Sequence, residues 1–281
     1  MNDYKKITIL TATLNSEKTL EQTISSVVAQ DYKDIEYIII DGNSTDNTIK
    51  IIKKYERYGV KWISEPDDGL YDALNKGIEM ATGDYFMVLG SDDSLYSKDS
   101  ISKVVANLEP DTDVLSATVI VVDDKSKKCY KLYNHHASDN KKFFGEMIPH
   151  QGMIVKTSFG KKYQFDKKYK IAADFKFFLQ CYYCDNIKFK FIDEPVTFYS
   201  SNGLSANEEL RCVEYNSIYN ELGLPFHAPA DSRLWMRWLK KILFKFGILS
   251  TARKIYDFFR YKFIYKTHRC DNEICRWCGR V

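Results

Sequence analysis

Residues 35–46 read IEYIIIDGNSTD, an apolar, largely β-branched run that breaks abruptly into Asp41-Gly42-Asn43-Ser44-Thr45-Asp46. Such a run between turn residues predicts a buried strand with a polar loop at its carboxyl end. Upstream, Ile7 to Thr13 has the same character. Between the two, Glu17 to Gln30 carries Leu20, Ile24, Val27 and Val28 at helical spacing. Downstream the alternation continues. Thr45 to Tyr55 predicts a helix with Ile49 and Ile52 inward, Val60 to Ser64 a short strand, Leu70 to Ala81 a helix and Tyr85 to Leu89 a strand. Strands alternating with helices predict an α/β fold with parallel pairing. In such sheets ligands bind beyond the carboxyl ends of the strands. That rule selects the Asp41–Asp46 loop and Gly90-Ser91-Asp92-Asp93, which then share one edge.

The second half is less regular. Val114 to Val122 predicts a strand, 123–140 a polar loop, His150 to Lys156 a strand, Asp174 to Cys184 a helix and Ile187 to Ile192 a strand. Glu208 to Leu222 predicts a helix that leads to a proline-containing linker, Pro225 to Pro229.

Adjacent carboxylates such as Asp92 and Asp93 repel when both are ionised, and a divalent cation relieves that repulsion. Mg²⁺ and Mn²⁺ take hard oxygen ligands and complete their shells with substrate phosphates and water. Asp and Ser also favour turns and helix N-caps, so a purely structural role for this segment stays open. Asp41, leaving a strand, suits a hydrogen bond to a base or ribose, while Ser44 or Asp46 suits the cap of the next helix. Gly77 lies inside a predicted helix at a cost of about 1 kcal/mol relative to Ala, which signals close packing or a nearby ligand.

Several segments together resemble glycosyltransferase family 2. The resemblance runs from Thr11-Ala12-Thr13-Leu14-Asn15, with Leu20, Ile24, Ser26-Val27 and Gln30, through Asp41–Asp46 and the Gly69–Gly77 block. It continues through Ala81, Gly83-Asp84 and Ser91-Asp92-Asp93, and covers roughly 5–200. It implies a GT-A type fold, a Rossmann-like nucleotide-binding domain with a mixed central sheet. By resemblance Thr11 and Thr13 lie near the base, Asp41 contacts uracil or ribose, Asp92 meets the ribose or the metal, and Asp93 is the principal ligand of Mn²⁺ or Mg²⁺. Asn15, Asn43, Asn75 and Ser91 fall in the matching segments and, with Asp67 just ahead of Gly69, are grouped with the nucleotide-sugar contacts. Lys76 reaches a phosphate or is a solvated helix-face lysine. The family's Asp-x-Asp-Asp pattern has Gly90 at its first position here, so a three-acid version is absent. Ala172-Ala173-Asp174 matches the pair that supplies the catalytic base, which makes Asp174 the candidate base, although the position also suits a helix N-cap. His150-Gln151 matches a further segment, and His150 is expected to contact the diphosphate or the acceptor.

The resemblance implies inversion at the anomeric carbon, a UDP-sugar donor carrying a hexose or N-acetylhexosamine, and a β-linked product on a lipid-linked saccharide of a bacterial surface polysaccharide. Two other functions compete. A sugar nucleotidylyltransferase calls for a glycine-rich N-terminal phosphate loop, and 11–17 contains no glycine. A non-catalytic nucleotide-sugar or glycan-binding module would need Asp41 but neither Asp93 nor Asp174.

The domain reading is a catalytic domain over 1–205, divided into a nucleotide-sugar half (1–97) and an acceptor half (98–205), then a helix and linker (206–232) and a tail (233–281). The tail has 13 Lys and Arg against three acids, a charge of +10, whereas 1–232 carries −7. On a helical wheel Trp238, Leu239, Ile242 and Phe246 fall within about 60° of Trp235, with Arg233, Arg237, Lys240, Lys241 and Lys245 opposite and Phe244 out of pattern. That amphipathic helix suits an anionic membrane surface. Nucleic acid is not an expected partner, since the front domain is acidic and no binding motif occurs. No export signal and no apolar run of about 18 residues is present, and seven cysteines without a framework suit a reducing compartment. The expected location is cytoplasmic, peripheral on the inner face of the cell membrane. His268, Cys270, Cys275 and Cys278 read as free thiols and a histidine before they read as a zinc site, being compressed into eleven residues.

Overall fold

The computed structural model describes residues 5–123, 128–132, 149–184, 187–200 and 208–224. Its strands are β1 (Ile7–Thr13), β2 (Ile35–Asp41), β3 (Lys61–Ser64), β4 (Tyr85–Val88), β5 (Ser94–Leu95), β6 (Val114–Asp123), β7 (Lys128–Leu132), β8 (Met153–Lys156) and β9 (Phe189–Ser200). Its α-helices are α1 (Leu20–Val28), α2 (Thr48–Lys54), α3 (Leu70–Met80), α4 (Ser100–Ala106), α5 (Thr157–Tyr163), α6 (Ala173–Cys184) and α7 (Glu208–Glu221). The tail at 233–281, the linker at 225–232 and the terminal Cys/His cluster lie outside the described residues.

The strands among the described residues form one mixed sheet in the order β3-β2-β1-β4-β8-β6-β9-β5, with β7 paired to β6. The first four run parallel, Thr13 beside Asp41 and Leu10 beside Val88. β8 then enters antiparallel between β4 and β6. The chain builds outward from β1 to β3 and returns to the other side of β1 with β4. The strand order therefore reverses between β1 and β4, and a crevice opens at their carboxyl ends.

Alternation along the strands sorts side chains to two faces. Ile7, Ile9, Tyr37 and Ile39 pack with Leu20, Ile24 and Ile52 of α1 and α2. Leu10, Ile38 and Ile40 pack with Leu74 and Ile78 of α3 and with Phe175 and Phe178 of α6. Gly77 explains how closely α3 lies on the sheet. A Cβ there would stand 2.6 Å from Cδ1 of Ile40 and 3.2 Å from Cδ2 of Leu10. Of the two roles expected for this glycine, close packing is the one present.

The structure departs from expectation at several points. The stretch read as a loop from 123 contains β7, because β6 offers it a pairing edge that local composition does not reveal. β5, α4 and α5 were not expected. β9 extends well past Ile192, since Asp193 and Glu194 are accommodated as an irregularity opposite Ala117 and Thr118 and pairing resumes at Pro195. Ahead of α2, Asp46 rather than Ser44 satisfies a free amide, accepting from Thr48 N at 2.9 Å. Ser44 instead turns its hydroxyl to Asp41.

One buried carboxylate ties three segments together. Glu36 accepts from Thr8 Oγ1 (2.8 Å), Lys61 Nζ (2.7 Å), Thr82 N (2.7 Å) and Thr82 Oγ1 (2.9 Å). Burial alone would raise its pKa, but these donors outweigh burial and hold it at about 2, below its ordinary 4.5. A depressed carboxyl contributes stability above its unfolded pKa, and that contribution fades as pH falls from about 4.5 toward 2. Glu36→Gln is expected to lower unfolding free energy by about 1–3 kcal/mol at pH 7, with a smaller difference from the parent at pH 3. Denaturant titrations at the two pH values check this, and an equal difference at both would contradict it.

Candidate active site

A cleft of about 550 Å³ opens where β1 and β4 end. Asn15, Ser16 and Lys18 line it from the loop after β1, and Gly90, Ser91, Asp92 and Asp93 from the loop after β4. The far wall is His150, Gln151, Lys170, Ile171 and Asp174, with Tyr199 and Ser200 at the end of β9. The sheet-edge rule thus brings carboxylates of both halves of the chain to one cavity.

Asp93 is buried, 3% exposed. Its Oδ1 accepts from Ser200 N at 3.0 Å and its Oδ2 from Gly90 N at 3.2 Å. Its own carbonyl accepts from Thr23 Oγ1 at 2.7 Å. Gly90 leaves room for the two carboxylates. A Cβ there would sit 2.6 Å from Asp93 Oδ2 and 3.1 Å from Asp92 Oδ1, so both carboxylates fold over the space that an acid at this position would fill. Burial, followed by the charge of Asp92, pushes the Asp93 carboxyl up to about 7.

Asp174 stands in the first turn of α6 and is 6% exposed. Its Oδ1 accepts from Phe175 N at 2.8 Å and from the hydroxyl of Tyr71, on α3, at 3.1 Å. Its Oδ2 lies 2.7 Å from Nδ1 of His150, within ion-pair distance. Burial lowers the pKa of His150, but Asp174 and then Asp93 outweigh it and the imidazole is raised above its ordinary value. Burial and the Asp174 charge raise Tyr71 well above the ordinary phenol, so it remains a donor.

The loop from Phe165 to Ile171 is fixed on both sides. Asn75 gives Nδ2–H to Phe165 O (2.8 Å) and accepts Phe165 N–H (2.7 Å). Glu214 of α7 accepts from Lys170 N (2.8 Å) and Ile171 N (3.1 Å). Glu221 pairs with both Lys168 and Lys176.

Of the residues expected at the site, Asn15, Ser91, Asp92, Asp93, His150 and Asp174 line the cleft. Thr11, Thr13, Asp41, Asn43, Asp67, Asn75 and Lys76 do not. Thr11 meets the Tyr37 hydroxyl at 3.2 Å inside the sheet. Thr13 is buried at the end of β1. Asp41 is fully buried and organises its own loop, accepting from Ser44 N (2.9 Å), Ser44 Oγ (2.5 Å) and Ser64 Oγ (2.7 Å). Asn43 is exposed with φ of 64°, a left-handed conformation that Asn tolerates. Asp67 accepts from Gly69 N at 2.9 Å. Asn75 is spent on the loop tether, and Lys76 on Pro66 O (2.9 Å) and Glu65 (2.8 Å). Tyr71, Ser200, Lys18 and Lys170 were not singled out from sequence. Tyr71 sat inside the Gly69–Gly77 block, whereas nothing local marks Ser200.

Residues 8–177 match the family described as Glycosyl transferase family 2. A PGL/p-HBAD biosynthesis glycosyltransferase of Mycobacterium tuberculosis is 28% identical over 206 residues, which cover 71% of this chain and 78% of that protein. Among solved structures, S. aureus TarS 1–349 in complex with UDP-GlcNAc superposes with a TM-score of 0.58 at 20% identity, covering 76% of this chain and 67% of that one. The mannosyltransferase PcManGT from Pyrobaculum calidifontis, in complex with GDP-Man and Mn²⁺, gives a TM-score of 0.61 at 15% identity, covering 80% and 66%. The chain spans 65% of TarS 1–349 without ligand and 39% of the longer TarS structure. At these identities the structures establish a shared fold.

The Tyr71–Asp174 bond makes a quantitative prediction. Tyr71→Phe and Asp174→Ala should each destabilise the chain by about 1–3 kcal/mol, the first by removing one of two donors to Asp174 Oδ1 and the second by leaving the buried Tyr71 hydroxyl without its acceptor. The double variant should lose less than the sum. Additive losses in a denaturation cycle would show that the two groups are not coupled.

Proposed function

The chain belongs to glycosyl transferase family 2 and is a glycosyltransferase, and from that premise we propose that it is an inverting, metal-dependent enzyme that uses a UDP-sugar. The transferred group is a hexose or N-acetylhexosamine, and the acceptor is a lipid-linked saccharide in surface polysaccharide assembly. The observation that carries the proposal is the pairing of Asp92–Asp93 with Asp174 across one cleft. Direct displacement needs charge stabilisation at the leaving group on one side and a base for the attacking hydroxyl on the other. An α-linked donor then gives a β-linked product.

Asp92 and Asp93 fit a divalent ion. A buried carboxyl raised to about 7 by burial and an adjacent acid is one that a dication would ionise. Among the described residues no three His, Cys, Asp or Glu side chains form a ligand cluster. The protein would therefore supply this carboxylate pair, leaving other positions to diphosphate oxygens and water, as Mg²⁺ commonly accepts. When bound, such an ion neutralises charge that develops on the departing diphosphate. The buried pocket formed by Ser200 N and Gly90 N holds Asp93 in place for that task, and the Asp174 end of the cleft receives the acceptor's proton.

The UDP-GlcNAc complex of TarS supports a UDP-linked donor, and the Mn²⁺ complex of PcManGT supports the metal. The cationic sequence at 233–281 supports an acceptor held at an anionic membrane, with the enzyme peripheral on its inner face.

Asp174→Ala should lower UDP release from the productive UDP-sugar by about 10²–10⁴-fold while calorimetric UDP affinity is retained. Unchanged turnover, or loss of UDP binding together with turnover, would refute the assignment of the base to this end of the cleft.

A further inference from the structure

We infer that Lys170 holds a phosphate carried by the acceptor, so that the enzyme selects acceptors in which a phosphate lies close to the hydroxyl being glycosylated; this rests on the transfer reaction proposed above. The loop from Phe165 to Ile171 carries three lysines, Lys167, Lys168 and Lys170. Two of them serve the fold. Lys167 meets Asp72 at 2.7 Å and Asp68 at 3.6 Å, and Lys168 pairs with Glu221. Lys176, the next lysine along the chain, is likewise spent on Asp166 at 2.6 Å and on Glu221. Lys170 is different. It is exposed, it lines the cleft, and among the described residues its ammonium has no ion pair or hydrogen bond.

The backbone beneath that side chain is fixed. Glu214 of α7, 7% exposed, accepts from Lys170 N at 2.8 Å and from Ile171 N at 3.1 Å. Tyr169, just before, is buried and gives its hydroxyl to Glu221 at 2.8 Å. Just after, α6 begins and places Asp174 in its first turn. Burying a carboxylate is costly unless it is well hydrogen-bonded, and Glu214 takes those bonds from the two amides that present Lys170 and Ile171. An anchored backbone under a flexible ammonium suits the point-charge contact that lysine makes with phosphate.

The position of Lys170 decides which substrate it serves. Asp93 is held by the amides of Ser200 and Gly90, and Asp174 by Phe175 N, the Tyr71 hydroxyl and the neighbouring His150, so neither carboxylate depends on this lysine. In a direct displacement the departing diphosphate and the attacking hydroxyl lie on opposite sides of the anomeric carbon. The diphosphate belongs with Asp92 and Asp93, and the hydroxyl with Asp174. Lys170 shares the far wall with Asp174. A cleft lined by Asp92, Asp93 and Asp174 repels an anionic acceptor, and a cation on the acceptor's side offsets that repulsion. The phosphate that joins a saccharide to a lipid is a group of this kind. The reach of one lysine leaves room for only a short saccharide between that phosphate and the attacking hydroxyl.

The test is calorimetry on the full chain with Mn²⁺ and saturating UDP, using matched probes: alkyl diphosphosugars and the corresponding uncharged alkyl glycosides. For the preferred sugar, the diphosphate probe should bind about 10-fold more tightly than its neutral partner. Lys170→Gln, which keeps both backbone bonds to Glu214, should lose that preference, and Lys170→Arg should keep most of it. UDP affinity should be unchanged in both. Lys103→Gln, the same loss of charge on α4, should behave as the parent, and an equal loss of preference there would overturn the assignment to Lys170. Equal or absent binding of both members of every pair by the parent, or a preference that survives Lys170→Gln, would overturn the inference alone. A fall in UDP affinity in Lys170→Gln with the preference intact would also overturn it, by assigning the lysine to the donor diphosphate. Parent protein that binds no UDP in the presence of Mn²⁺ would remove the transfer reading, and the inference with it.

Discussion

The carboxylate of Asp93 is where the two halves of the chain meet. It leaves the end of β4, and its oxygens are held by amides of Gly90, three residues back, and Ser200, at the end of β9. Burying an acid beside another acid is unfavourable unless something compensates for the lost hydration. Here two backbone amides compensate in part, and a raised carboxyl pKa records the remainder. The strand order makes the arrangement available. Because β4 returns beside β1, its terminal loop faces the crevice, and β9 brings Ser200 to the same edge.

Charge is distributed across the cleft in a chemically useful sequence. Asp92 and Asp93 lie on the side of the parallel strands, Asp174 lies on α6, and His150 feels both Asp174 and Asp93. Lys18 and Lys170 add cationic side chains at the lining. The loop that carries Lys170 and Ile171 is pinned by Asn75 of α3 and Glu214 of α7, so this wall of the cleft is held by elements far from it in sequence. Rigid support of this kind is what keeps a base and a leaving-group site at a fixed separation.

Much of the front half was legible because its signals are local. The apolar runs of β1 and β2, the helical spacing of α1 and the acids after β4 need no distant partner to be read, and Gly77 announced either close packing or a nearby ligand, of which the structure has the packing. The second half was harder. β7 exists because β6 pairs with it, and β9 crosses Asp193-Glu194-Pro195 because the neighbouring strand absorbs the irregularity. The same distinction separates site residues. Asp92, Asp93 and Asp174 line the cleft, but Asn75 bonds a loop 90 residues away, Lys76 turns back to Glu65 and Pro66, and Asp41 serves its own turn. A polar residue in a family-like motif does not reveal from sequence whether its hydrogen bonds go to a ligand or to the fold. Tyr71 shows the converse, a core aromatic whose hydroxyl reaches Asp174.

The most direct test is release of nucleoside diphosphate from a panel of nucleotide sugars, with and without Mn²⁺, by the intact chain and by Asp93→Ala. Metal-dependent release of UDP from one donor, lost in Asp93→Ala, is the result this account predicts. Metal-independent release that persists unchanged in Asp93→Ala would contradict it.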